Sequence, residues 1–370
     1  MTPAFTLPLY ISRIFAVAVT AMLLALTGLV SLFDFIELLR RSASRPEATF
    51  GLVTEIGALR LPYIAMQILP FAVLLGGILC FWRLTRSSEL IVARASGVSA
   101  WEFLTAPTLV AMAFGAIGTA VVSPISSVML SRAEAMDNIY LRNGGGPLAL
   151  NGGQLWMRQS DRSLVPQGVA IIHAHGVEVH GARLLARDVS VFRLDGSDRL
   201  LSRIEATRAV LANREWQLDD ARAIRPDQLP EAAATIKLPT DLTVSRVQES
   251  FASPDTLSFW ALPGFISLLD HSGFSSIRHR LHFQALLALP LLTATMTLMA
   301  AGFSMRPARR GGVARMIGSG VAAGFVLFVV SKMAEEFGQS GALPVVLAAW
   351  APTAAGLMLA LTLLLHTEDG

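Results

Sequence analysis

The sequence holds a single cysteine, Cys80, in 370 residues, which excludes an intrachain disulfide framework. Cys80 lies inside an apolar run where desolvation disfavours the thiolate, so it reads as a packing residue. Lysine is nearly absent: of 30 basic residues only Lys237 and Lys332 are lysines, a matter of genome composition, and neither follows a glycine-rich phosphate loop. A Walker-type nucleotide site is thereby excluded, and with it ATP hydrolysis by this chain. His-Glu-x-x-His, Cys-x-x-Cys and Gly-x-Ser-x-Gly are missing as well, which removes the zinc-protease, thiol-redox and hydrolase-elbow signatures. The net charge is only +3 with no long run of one sign, which argues against a nucleic-acid partner. No catalytic residue, metal site or bound cofactor is expected.

Apolar residues are what the chain has in excess. They make up 53% of it against 15% charged residues, and the mean hydropathy is +0.55. Six runs approach or exceed the roughly 20 apolar residues that cross a bilayer: Ile14 to Phe33, Leu61 to Trp82, Phe103 to Leu130, Phe283 to Phe303, Met316 to Val330 and Leu343 to Leu365. The fifth is extended by Arg315 and Lys332, which can snorkel. The first has no small-residue cleavage site before its polar flank and reads as a retained helix. The expected fold class is a membrane α-helical bundle of six transmembrane helices, with an all-β, sandwich or jelly-roll-like domain inserted between helices 3 and 4. Residues 1–130 and 281–370 form the membrane part and 131–280 the insert. Arg13, Arg83, Arg86, Arg94, Arg306, Arg309, Arg310 and Arg315 fall on one side, which the positive-inside rule makes cytoplasmic, together with both termini.

The insert has strand texture. DVSVFRLDGSDRLLSRIEA alternates around a hairpin signal at Asp195-Gly196, and RAVLANREWQLDDARAI continues as short strands broken by Asn and Asp. NGGGPLALNGG, Asn143 to Gly153, reads as a flexible entrance loop. In HAHGVEVH, His173 and His175 share a strand face near Glu178 and His180, a pattern that suits a metal site or, more ordinarily, exposed strand histidines beside a glycine turn. Gly320 and Gly324 in RMIGSGVAAGFVLF form a small-xxx-small face, for packing within the bundle or for a movable contact with a partner subunit. Pro70 and Gly76-Gly77 can kink the second span.

Two polar features remain. DFIELLRRSASR places Arg40 and Arg41 beyond the first span, as a solvated helix end or as a phosphate-binding pair. RSSELIVARASGVS, Arg86 to Ser99, reads as a short helix over 87–97, capped by serine, led by Glu89 and stopped at Gly97.

That segment resembles the Ser-Glu-Leu signature of the LptF/LptG permease family, subunits of the bacterial lipopolysaccharide exporter. The resemblance extends to LYISRIF, LHFQALLALPLL and GVARMIGSGVAAGFVLFVVSKMAEEFGQSGALPVVLAAWAPT. LFDFIELLRR and GALPVVLAAWAPT look like the LptG branch, whose sister permease is LptF. The resemblance implies a non-catalytic inner-membrane subunit with a periplasmic β domain. It would be driven by an LptB ATPase dimer that binds ATP and Mg, and would pass lipopolysaccharide to LptC and the periplasmic bridge. It further implies that 87–97 is a coupling helix docking on LptB through Glu89, with Leu90, Ile91, Arg94 and Gly97 around it. Arg40 and Arg41 match basic positions implicated in holding lipopolysaccharide phosphates, whereas Asp34 stands where some relatives carry a basic residue. Other readings of the residues are an amphipathic helix lying on headgroups for 87–97, and a membrane-anchored receptor or scaffold, or a lipid-acting enzyme, for the whole chain.

Overall fold

A computed structural model describes residues 6–43, 48–87, 89, 99–141, 155–161, 168–180, 183–197, 199–226, 232–240, 243–244, 253–271, 275–304 and 313–368. Helix α1 (Thr6–Ser42) is followed by α2 (Phe50–Arg86), whose first turn is capped by the Thr49 hydroxyl accepting from the Leu52 amide at 3.3 Å. Ser99 caps α3 (Ala100–Ile117) in the same way. A π-helical turn (Gly118–Val122) joins α3 to α4 (Ser123–Met136), and a second one (Asp137–Leu141) follows. After the strands come α5 (Leu262–His271), α6 (Ile277–Ser304), α7 (Val313–Gln339) and α8 (Val345–Glu368). Gly341, at φ +78°, turns the chain out of α7.

Among the described residues, six helical segments are long and apolar enough to cross a membrane, at the six places expected. They outrun the apolar stretches: Trp101–Leu141 has 41 residues. At 1.5 Å per residue that is about 60 Å, twice the hydrocarbon thickness of about 30 Å.

The chain divides into two compact units, one of Met1–Glu134, Pro254–Pro263 and Ile277–Gly370, the other of Ala135–Ser253 and Gly264–Ser276. In the first, α2 and α6 are the inner helices, with 56% and 67% of their apolar windows buried against 17% for α1 and α7. Two hydroxyls tie α6 to its neighbour: Thr293 donates to the Ala111 carbonyl and Thr119 to the Leu286 carbonyl, both at 2.8 Å. Backbones come close where a side chain is missing. A Cβ on Gly76 would lie 2.6 Å from Val19 Cα, and one on Gly115 would lie 2.5 Å from Pro290 Cα. Gly76 and Gly77 thus serve helix contact, and α2 runs on through Pro62 and Pro70 to Arg86.

In the second unit, β1 (Leu155–Ser160), β2 (Val169–His180), β3 (Arg183–Leu194), β4 (Leu200–Ala212), β5 (Glu215–Ile224) and β6 (Ala234–Pro239) form one antiparallel sheet, each strand beside its sequence neighbour. This is the inserted β domain the sequence predicts. The Asp195 carboxylate accepts from the amides of Ser197 and Arg199 and from the Ser197 hydroxyl, closing the expected hairpin between β3 and β4. These bonds hold the Asp195 carboxyl below its ordinary range. Asn213 and Arg214, both with positive φ, make the two-residue turn to β5. The core face carries Leu155, Ile172, Val191, Ile204, Leu211 and Trp216.

The strands are longer than expected, for a specific reason. Alternation of buried and exposed residues slips by one at His175–Gly176, Arg187–Asp188, Thr207–Arg208 and Asp219–Asp220, so in each of four adjacent strands two successive residues lie outside the core. Gly176, Asp188 and Asp220 lie at φ +55°, +48° and +54° there. The irregularities line up across the sheet and form a crease. Asp220, read from sequence as a strand break, is an aspartate in left-handed backbone inside a continuing strand.

Gly76→Ala should lower the melting temperature of the detergent-solubilised protein, overpacking of this kind costing about 1–3 kcal/mol. Gly28→Ala, with nothing within 4 Å of the new Cβ, should not. Equal melting of both variants would show that the α1–α2 backbone contact is not limiting.

Candidate functional site

Charged and polar side chains of the membrane unit gather where α1 ends and α2 begins. Asp34 on α1 pairs with Arg60 on α2 at 3.1 Å, both half-buried, and Glu55 pairs with Arg132 at 3.2 Å. The unmatched acid that Asp34 represents in the sequence is therefore neutralised by the neighbouring helix. A strap follows the sheet. Its 3-10 turn Pro254–Thr256 brings Asp255 to Tyr63, whose hydroxyl donates to it at 3.2 Å, and to His282 of α6 at 3.3 Å. Gln67 donates to the Tyr63 oxygen at 2.5 Å. Phe259 stacks on Phe283 at 5.2 Å, and the Trp260 indole donates to the Ala120 carbonyl in the π-helical turn at 3.1 Å. α2, α6 and the π-helical turn after α3 are thereby fastened at one end by a segment that the sequence assigns only to the 131–280 insert.

Arg40 and Arg41 stand in the last turn of α1, exposed, where cations favour the helix dipole. Both are bound by one carboxylate. Glu37 accepts from Arg40 at 2.8 and 2.9 Å and from Arg41 at 2.9 Å. The pair thus presents two oriented guanidiniums with one charge already cancelled.

The match to known proteins covers this whole arrangement. A model of the family described as lipopolysaccharide export system permease LptF/LptG matches residues 9–366. The chain belongs to the LptF/LptG permease family. It is 25% identical to the lipopolysaccharide export system permease protein LptG of Escherichia coli (strain K12), over 99% of both chains. It is 21% identical to the protein of the same name from Haemophilus influenzae, over 98% of this chain and 99% of that one. The protein is accordingly a transport component, a multi-pass permease whose β domain interrupts its spans.

Of the family's expected coupling segment, Glu89 is helical and half-buried, while Leu90, Ile91, Arg94 and Gly97 lie outside the described residues. So does the whole entrance loop at Asn143 to Gly153. Gly320 and Gly324 pack inside the permease: a Cβ on Gly320 would meet Ile78 at 2.9 Å, and one on Gly324 would meet Leu74 at 2.0 Å. Their face is filled by α2 of this same chain.

His173 and His175 come together at the sheet crease, ring centres 4.5 Å apart, and His173 also stacks on Trp156 at 4.0 Å. Partial burial, then the charge of His175, lower the His173 pKa. A cavity of about 550 Å³ opens beside them with Ser190, Glu205, Asp220 and Arg222 in its wall. Among the described residues no group of His, Cys, Asp and Glu is arranged to hold a metal ion. The side chain of His180 lies outside what is described.

Asp255, Tyr63 and His282 were not legible as a site. Asp255 and Tyr63 are 192 residues apart, and no local spacing links them. Removing one member of the half-buried α1–α2 ion pair should expose its value. Arg60→Met should destabilise more than Arg60→Met combined with Asp34→Asn, with a coupling of about 1–2 kcal/mol in melting experiments. Additive effects would mean that the two charges do not depend on each other.

Proposed function

We propose that this chain is the LptG-type transmembrane subunit of an ATP-driven lipopolysaccharide exporter in the inner membrane of a Gram-negative bacterium. The observation that carries the reading is the family match across residues 9–366, joined to six spans and an inserted β sheet. Similarity to two proteins named LptG favours that branch. Its partners would be an LptF permease, an LptB dimer holding ATP and Mg, and LptC at the start of the periplasmic bridge. The arginine distribution supports cytoplasmic termini and a periplasmic β domain.

The physical scheme follows from the helices. α1 and α7 leave most of their apolar surface uncovered by this chain, so they are the walls available to a sister subunit and to acyl chains. Closure of the ATPase dimer would push on the 87–97 segment through Glu89, a carboxylate suited to a cation on the partner. α2 leads into that segment and α3 leaves it, so a push there is transmitted to the innermost part of the bundle. Lipopolysaccharide phosphates would meet Arg40 and Arg41 at the outer end of α1. Glu37 would moderate that grip, holding the guanidiniums in place while weakening their net attraction, which suits a site that must release its cargo.

Glu89→Lys should leave the protein inserted at normal levels but abolish lipopolysaccharide export and recovery of the ATPase subunit on purification. Normal export in that variant would overturn the coupling assignment. Arg40→Ala with Arg41→Ala should weaken lipopolysaccharide retention by about three- to tenfold, and Glu37→Gln should strengthen it. Retention that is insensitive to all three changes would remove the end of α1 from the lipid path.

A further inference from the structure

At the opposite end of α1 from Glu37, a cavity of about 530 Å³ opens between α1 and α2. Its floor is apolar: Ile14, Val17, Ala18 and Ala21 follow one another at helical spacing on α1, and Leu79 faces them from α2. The small side chains at 18 and 21 leave a channel, and Val17 and Leu79 are exposed along it. Two arginines share the same cavity, Arg13 from α1 and Arg83 from the last turn of α2. Tyr10 and Trp82 stand with them, an aromatic pair of the kind that sits at the depth of lipid headgroups. Arg86 lies over the Trp82 ring, 5.5 Å from its centre.

The two ends of α1 differ in one respect that decides the chemistry. Arg40 and Arg41 are answered by Glu37, whereas Arg13 and Arg83 form no ion pair with any carboxylate among the described residues. Two uncompensated guanidiniums beside an apolar channel call for a ligand with an anionic head and a hydrocarbon tail. We infer that this cavity holds an anionic glycerophospholipid, its phosphate between Arg13 and Arg83 and an acyl chain along Ile14, Val17, Ala18 and Ala21. The arginine distribution puts the site in the cytoplasmic leaflet, so the occupant is a membrane lipid lodged against the α1–α2 pair. A neighbouring protein helix would fill the channel but would have to bring its own acids to answer both arginines.

The test uses the full chain in detergent, with synthetic phosphatidylglycerol, phosphatidylethanolamine and lipid A supplied in turn, and native mass spectrometry to count retained lipid. Phosphatidylglycerol should be retained in preference to phosphatidylethanolamine, and Arg13→Gln with Arg83→Gln should cut its retention by about fivefold per arginine. Val17→Trp, at an exposed position, changes no charge and should reduce retention by filling the channel. Absence of the preference, or its survival in both the double variant and Val17→Trp, overturns the site, as does stronger retention of lipid A through the same arginines. A photocrosslinker at position 17 in native membranes should capture lipid; capture of a protein helix overturns the assignment of the occupant. Export is not the readout, so these results leave the transport reading untouched.

Discussion

Inside hydrocarbon, helices gain little from hiding apolar surface from one another, so contact between their backbones must come from close fit and a few interhelical hydrogen bonds. The bundle meets that constraint along α2 and α6. Gly76 admits Val19 of α1, Gly115 of α3 admits Pro290 of α6, and Gly324 of α7 admits Leu74 of α2. Two threonine hydroxyls reach across to carbonyls at the same level. Every other feature of the membrane unit is arranged about this inner pair. The outer helices α1 and α7 leave most of their apolar windows uncovered by this chain, 17% buried in each against 56% and 67% in α2 and α6.

Charge is distributed unequally along α1. At one end Glu37 divides its oxygens between two arginines, and Asp34 is matched by Arg60, so the local charge is nearly balanced. On the proposed transport reading, a balanced end attracts a phosphorylated cargo and still releases it. At the other end Arg13 and Arg83 have no carboxylate partner among the described residues and line an apolar channel, the arrangement from which a bound lipid is inferred. An acid one turn away competes for a guanidinium and weakens its attraction for any other anion.

The β unit shows how backbone strain shapes a surface. Aspartates tolerate left-handed backbone better than most side chains, and Asp188 and Asp220, with Gly176, take that conformation at the level where the buried and exposed alternation slips in neighbouring strands. The result is a crease with a polar wall, where His173, His175, Glu205 and Arg222 meet. Trp156 and His173 stack beside it because they are direct cross-strand partners.

Much of this was written into the chain itself. Apolar runs separated by arginine-bearing loops determine six spans, because a bilayer accepts about 20 apolar residues in helical form and little else. Alternation with Asp-Gly and Asn turns determines an antiparallel sheet in the insert, and a Ser-Glu-Leu segment between spans two and three carries the family likeness. What only tertiary structure decided are the partnerships across distance. Nothing near Asp34 in sequence announces Arg60, nothing near Tyr63 announces Asp255, and the small face of Gly320 and Gly324 did not say which helix would fill it. The Asp219-Asp220 pair looked like a break because local propensity cannot see the adjacent strands that hold it in register. Periodicity reports which face is apolar; which neighbour meets that face depends on packing of the whole chain.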